Sequence, residues 1–120
     1  MKTYLTGNLN GYNKDEALKS LCSTMDELFD TGVKKIYTPI DFVEMKQKEQ
    51  LRKRLSTVRE CDVIVFQSGW KEDVNACWEW MEASKMHKVI RIDNASDIED
   101  IRKMASGELP VCRECSIQVS

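Results

Sequence analysis

The chain has 120 residues, 42% of them hydrophobic and 32% charged, with a formal net charge of −2. That length fits one domain with a small core. The near-neutral balance offers no basic face for a nucleic-acid backbone, and no apolar run approaches membrane-spanning length.

Taken in order, Lys2–Thr6 reads as a short strand containing Tyr4, and GNLNGYN (7–13) as a turn-rich loop. Asn13 or Asp15 can cap a helix running to about Asp30, with Ala17, Leu18, Leu21, Cys22, Met25, Leu28 and Phe29 at helical spacing and Gly32 as its stop. Val33–Tyr37 is a second strand, ended by Pro39. Phe42 to about Glu60 reads as a helix with Leu51, Leu55 and Val58 inward; its mixed charges over 44–60 read as a solvated face. DVIVF (62–66) is almost wholly apolar, as a central parallel strand should be. QSGW is a loop, Glu72–Met86 a third helix, and KVIRI (88–92) a fourth strand. Ser96 caps a last helix, stopped by Gly107.

Strand and helix alternate throughout. The expected fold is α/β: a three-layer Rossmann-like or flavodoxin-like domain over residues 1–107, with a parallel sheet of at least four strands in the order 2-1-3-4. Ligands of such sheets bind at the carboxyl ends of the strands, where strand order reverses. The loops there are 7–13 and 67–72, so Gly7, Asn8, Asn10, Gly11, Ser68, Gly69 and Trp70 are candidate binding residues. Neither loop is a GxGxxG or a GK[ST] phosphate loop.

The tail, 108–120, is read as a possible edge strand (IQV, 117–119) or subunit contact. Cys112 and Cys115 make a single CxxC, which lacks a second pair for zinc and stands in the wrong place for a thioredoxin-like site. No metal or cofactor is expected. Cys22, Cys61 and Cys77 fall on apolar faces and read as buried thiols. With MKTYLTGNL carrying no export-signal pattern, the expected compartment is the cytoplasm.

The stretch GWKEDVNACWEWMEA (69–83) holds all three tryptophans. On its helix, Val74, Cys77, Trp78 and Met81 form the main apolar stripe, while Glu79 shares a face with Glu72, Asn75, Ala76 and Ala83. Periodicity alone makes Glu79 a solvent-facing charge. Asp73 can equally be a first-turn cap.

The opening YLTGNLNGY, the segment CDVIVFQSGW and the pair Asp73…Glu79 together resemble the nucleoside 2-deoxyribosyltransferase superfamily. The nearest likeness is to small members with a YLxGPMxGY opening and a CDxIVxLPGW…E centre, over roughly residues 2–92. The resemblance implies cleavage or exchange of the N-glycosidic bond of a nucleoside or nucleotide, in a homodimer or higher homo-oligomer. It implies Glu79 as the nucleophile that attacks the anomeric carbon, Tyr4 beside it, and Asp73 on the sugar 5′-hydroxyl. Gly7 and Asn8 match its ligand loop, and Asp62 a strand-opening aspartate of structural use. Trp70, Trp78 or Trp80 could stack on a base.

One position departs. Eight residues before Asp62 the superfamily carries an aspartate that holds the base and moves protons; here it is Arg54. An arginine cannot serve as general acid or base near neutral pH, and such catalysis commonly contributes ~10²–10⁴ in rate. Arg54 could instead hold an anionic ligand, which suits a sensing or sequestering protein using the same pocket without chemistry.

Overall fold

The computed structural model describes residues 1–86, 89–91 and 95–109. Three strands form the centre of one parallel sheet in the order 2-1-3: β1 (Thr3–Thr6), β2 (Ile36–Tyr37) and β3 (Val63–Phe66). β1 is central, with Tyr4 registered on Tyr37 at one side and on Ile64 at the other. A three-residue segment, β4 (Val89–Arg91), pairs in parallel with β3. Four helices surround the sheet: α1 (Lys14–Asp30), α2 (Gln47–Glu60), α3 (Val74–Met86) and α4 (Ala95–Ser106). None is long and apolar enough to cross a membrane among the described residues.

β1 and β3 are buried throughout, and strand alternation divides their side chains between two layers. Leu5, Val63 and Val65 face α1 and α4, packing with Ala17, Leu21, Leu28 and Ile101. Tyr4, Ile64 and Phe66 face α2 and α3, packing with Val58 and Ala83. The expected α/β class, a parallel sheet packed with helices, is therefore present.

Local rules set the ends. Asn13 caps α1 through a capping box with Glu16, and Thr31 closes its far end with a hydroxyl bond to the Leu28 carbonyl. Asp62 accepts from the Lys2 backbone N–H at 2.8 Å, tying the starts of β1 and β3 together, the structural role expected of it.

Several boundaries differ from expectation. The second strand covers only Ile36–Tyr37. The second helix is interrupted: a 3₁₀ turn at Ile40–Phe42 precedes α2, which begins at Gln47. A 3₁₀ turn at Trp70–Glu72 likewise precedes α3. Ser96 lies within α4 rather than before it.

Two helix faces turn the other way. α2 points Gln50, Arg54 and Val58 inward and leaves Leu51 and Leu55 half-buried. α3 points Asn75, Ala76, Glu79 and Ala83 inward and leaves Val74, Trp78 and Met81 exposed. The physical reason is shared: hydrogen-bonded pairing between the polar residues of α2 and α3 takes the place that the apolar stripes would fill. Cys22 is exposed and Cys77 half-buried, so of the three thiols expected inside only Cys61 is. Cys112, Cys115, His87 and the 117–119 strand lie outside the described residues.

Candidate functional site

The site lies under the carboxyl ends of β1 and β3, where strand order reverses, and its centre is Glu79. This carboxylate is fully buried, at 0% exposure, so the solvent-facing reading fails. Tyr4 and Thr6, two residues apart on one face of β1, both reach it. The Tyr4 hydroxyl donates to Oε2, and the Thr6 hydroxyl donates to Oε1 at 2.6 Å. Arg54, on α2, donates from Nη2 to the same Oε1 at 2.6 Å and to Thr6 Oγ1 at 3.0 Å.

Arg54 is itself at 0% exposure. Gln50, one turn before it, accepts from its Nη1 at 3.1 Å. Asn75 of α3 donates to the same Gln50 oxygen at 3.0 Å and exchanges bonds with Gln47 at the start of α2. A continuous polar chain thus runs from exposed Gln47 through Asn75, Gln50 and Arg54 to Glu79, Thr6 and Tyr4. Among the described residues, Arg54 Nε has no hydrogen-bond partner.

The electrostatics follow from burial. Tyr4 is held well above the usual tyrosine value, chiefly by loss of solvent and then by the negative charge of Glu79. Burial works to lower the Arg54 value, but the charge and hydrogen bond of Glu79, aided by Tyr4 and Asp73, raise it overall. Arg54 is a fixed cation here. An ion pair this deep repays its desolvation only through close geometry and further hydrogen bonds, and Gln50 and Thr6 supply them.

Asp73 stands at the amino end of α3 in extended conformation and acts as its cap. Its Oδ1 accepts from the Asn75 N–H at 2.8 Å, and Oδ2 accepts from the Leu9 N–H at 3.0 Å. Arg54 Nη1 is 3.6 Å from Oδ2. The same carboxylate therefore fixes the loop after β1 onto the start of α3.

The two loops are drawn together at a second point. A Cβ on Gly7 would stand 3.0 Å from Gln67 Cβ, tighter than ordinary contact, so a side chain here would press the strands' ends apart. Gln67 bonds across to α1, accepting from Thr24 Oγ1 at 2.7 Å and donating to the Ser20 carbonyl at 3.2 Å. Gly69, at φ 89°, turns the chain into the segment carrying Trp70. Trp70 stacks on Trp80 with centroids 4.4 Å apart, and Phe66 meets both rings. Trp78 points the other way.

Of the predicted site residues, the structure brings Tyr4, Arg54, Asp73 and Glu79 into one buried cluster. Gly7 is buried beside it, and Asn8 is half-buried with its side chain capping the Asn10 N–H at 3.2 Å. Asn10, Gly11, Ser68 and Gly69 are exposed on the loops above. Sequence reasoning missed Thr6, Gln50 and Gln47. The signals were present: Thr6 shares the strand face of Tyr4, and Gln50 precedes Arg54 by one helical turn. No group of three or more His, Cys, Asp or Glu side chains is placed to hold a metal among the described residues.

No family model, curated protein or solved structure matches the chain. The functional reading therefore rests on this geometry and on the motif resemblance.

Proposed function

We propose that this chain is a nucleoside 2-deoxyribosyltransferase-like protein that binds a nucleoside or nucleotide at the carboxyl ends of β1 and β3 and holds it without cleaving it. The observation that carries this reading is the 2.6 Å pairing of Arg54 with Glu79. A nucleophilic carboxylate needs a free lone pair aimed at the anomeric carbon. Three of the roughly four lone-pair sites of Glu79 are taken by Tyr4, Thr6 and Arg54, and its charge is balanced by a cation that cannot give up its proton. The residue that should protonate the leaving base is replaced by the one that occupies the nucleophile.

The fold of this reading is the Rossmann-like or flavodoxin-like one, with a parallel sheet of at least four strands in the order 2-1-3-4; the pairing of Val89–Arg91 with β3 supports the fourth. Binding would fall to the loops at 7–11 and 68–70, with no metal or other cofactor, and the compartment is the cytoplasm.

One observation favours a second reading, a working N-glycosidic transferase or hydrolase. Tyr4 bonds to Glu79 as the resemblance requires of a nucleophile's neighbour. Turnover would then need substrate to draw Arg54 away.

Incubation with a panel of nucleosides and deoxynucleoside monophosphates decides between them. Free base is followed by chromatography and binding by the shift in melting temperature. We expect a shift without base release. Base released by the wild type and not by Glu79→Gln establishes the enzyme. Silence in both assays across the panel rejects both.

A further inference from the structure

We propose that Asn10–Gly11, on the loop after β1, is a site of self-modification, at which Asn10 loses its side-chain amide and the chain rearranges to an isoaspartyl link. The inference is independent of what the site below the loop binds. Asparagine is a thermolabile side chain. It reacts when the backbone nitrogen of the next residue reaches its own side-chain carbonyl carbon and closes a five-membered ring. A Cβ on that next residue crowds the approach, and glycine has none. Of the five asparagines, Asn8, Asn10, Asn13, Asn75 and Asn94, only Asn10 precedes a glycine. The fold leaves this pair open. Both residues are exposed and form the middle of a turn, closed by the Tyr12 N–H on the Leu9 carbonyl at 3.1 Å. Gly11 stands at φ 77°, and apart from its chain neighbours no atom lies within 4 Å of where a Cβ would be. Among the described residues, nothing holds the Asn10 carboxamide or the Gly11 N–H. The other described asparagines are tied. Asn8 accepts from the Asn10 N–H at 3.2 Å, Asn13 accepts from the Glu16 N–H at 2.9 Å, and buried Asn75 donates to Gln50 at 3.0 Å.

The chemistry needs only hydroxide and water. The Gly11 nitrogen gives its proton to hydroxide and attacks Asn10 Cγ. The new N–Cγ bond forms, the Cγ–Nδ2 bond breaks, and Nδ2 leaves as ammonia. Water then opens the ring at one of two carbonyls. Attack at Cγ restores the ordinary backbone with an aspartate side chain. Attack at the Asn10 backbone carbonyl leaves the chain running through Cγ, with a free α-carboxylate. Either product places a new negative charge next to Leu9, whose N–H is the loop's bond to Asp73. The isoaspartyl product also adds one atom to the backbone of the turn between Leu9 and Tyr12.

Incubation of the folded chain in mildly alkaline buffer tests the proposal, followed by rapid tryptic digestion and mass spectrometry of the peptide Thr3–Lys14. A sample digested without incubation is the control. The exchange of an amide for an acid should appear at Asn10 well ahead of Asn8 and Asn13, as a pair of isoaspartyl and aspartyl peptides separable by chromatography. Its rate should rise in proportion to hydroxide. Gly11→Ala should slow it by roughly tenfold or more. Asn10→Gln should abolish it, with circular dichroism confirming that each variant is folded. A folded chain that keeps Asn10 intact over a period in which the same chain in urea is converted overturns the proposal. So does conversion spread evenly over Asn8, Asn10 and Asn13, or conversion at Asn10 that Gly11→Ala leaves at the wild-type rate.

Discussion

The two faces of the sheet are built on different principles. Against α1 and α4 the core is apolar, with Leu5, Leu21, Leu28, Val63, Val65 and Ile101 all buried. Against α2 and α3 the strands offer Tyr4, Thr6, Ile64 and Phe66, and the helices answer with Val58 and Ala83 but also with Gln50, Arg54, Asn75 and Glu79. One layer is held by non-directional burial, which tolerates any close-packed apolar set. The other depends on a chain of hydrogen bonds in which each member needs its neighbour. A small domain that places a buried ion pair in one of its two layers gives up apolar burial that it can scarcely spare. That polar cluster is the candidate site, and it lies wholly on the α2–α3 side of the sheet.

The contrast can be broken most forcefully at Arg54. Arg54→Met leaves Glu79 buried without its cation and should cost about 3–5 kcal/mol in urea unfolding. Replacing both, as Arg54→Met with Glu79→Leu, should recover most of that loss, because an apolar pair carries no unmet charge. If the single variant unfolds with wild-type stability, the polar layer is not held by this pair. Leu21→Ala is the matching cut in the apolar layer. It should cost about 2–5 kcal/mol through the cavity it leaves, with no partner substitution that restores it.

A finer test is Tyr4→Phe, which removes one donor to Glu79 and should cost about 1–2 kcal/mol. It also carries a pH signature. The Tyr4 hydroxyl is raised above its ordinary value by burial and by Glu79, so the unfolded chain loses this proton first as pH rises. Wild-type stability should therefore be whole below the ordinary tyrosine value near 10 and decline above it. Tyr4→Phe should remove part of that decline, as followed by melting temperature across alkaline buffers. A decline of unchanged size in the variant would assign it to other groups.

The smallest effect is expected at Glu82→Gln. Arg59 donates to Glu82 at 2.5 Å on the outside of the same layer, but Arg59 is largely solvated. Such pairs contribute at most about 1 kcal/mol. The Glu82 carboxyl is held below its ordinary value by Arg59, so this contribution is present above that value and fades as the pH falls. Acid titration of unfolding in 1 M salt should find the difference between variant and wild type nearly gone.

The apolar side was the legible one. Ala17, Leu21 and Leu28 stand at helical spacing, and DVIVF is a buried strand by composition alone, so alternation of elements led directly to a layered parallel sheet. The capping box at Asn13 was equally readable, because it acts over three residues. The polar side was not. Hydrophobic periodicity takes the greasier stripe of a helix as the inner one, and α3 reverses that rule: Val74, Trp78 and Met81 face out so that Asn75 and Glu79 can face Gln50 and Arg54. The force responsible lies in pairs 25 residues apart in sequence, beyond the reach of any local window. The motif resemblance pointed to Glu79, Tyr4 and Asp73 as a group and to Arg54 as the departure. The meeting of Arg54 with Glu79, and the part of Thr6 and Gln50 in holding it, needed coordinates.

The tryptophans give this molecule two optical populations. Trp70 and Trp80 lie nearly parallel, 11° apart, against Phe66 in a half-buried stack, while Trp78 stands on the opposite side of α3 in water. Emission from the stack should be short in wavelength and sheltered from iodide, and emission from Trp78 long in wavelength and open to it. Without any label, then, the chain can report separately on what happens at the loop that carries Trp70 and on what comes to cover the outside of α3.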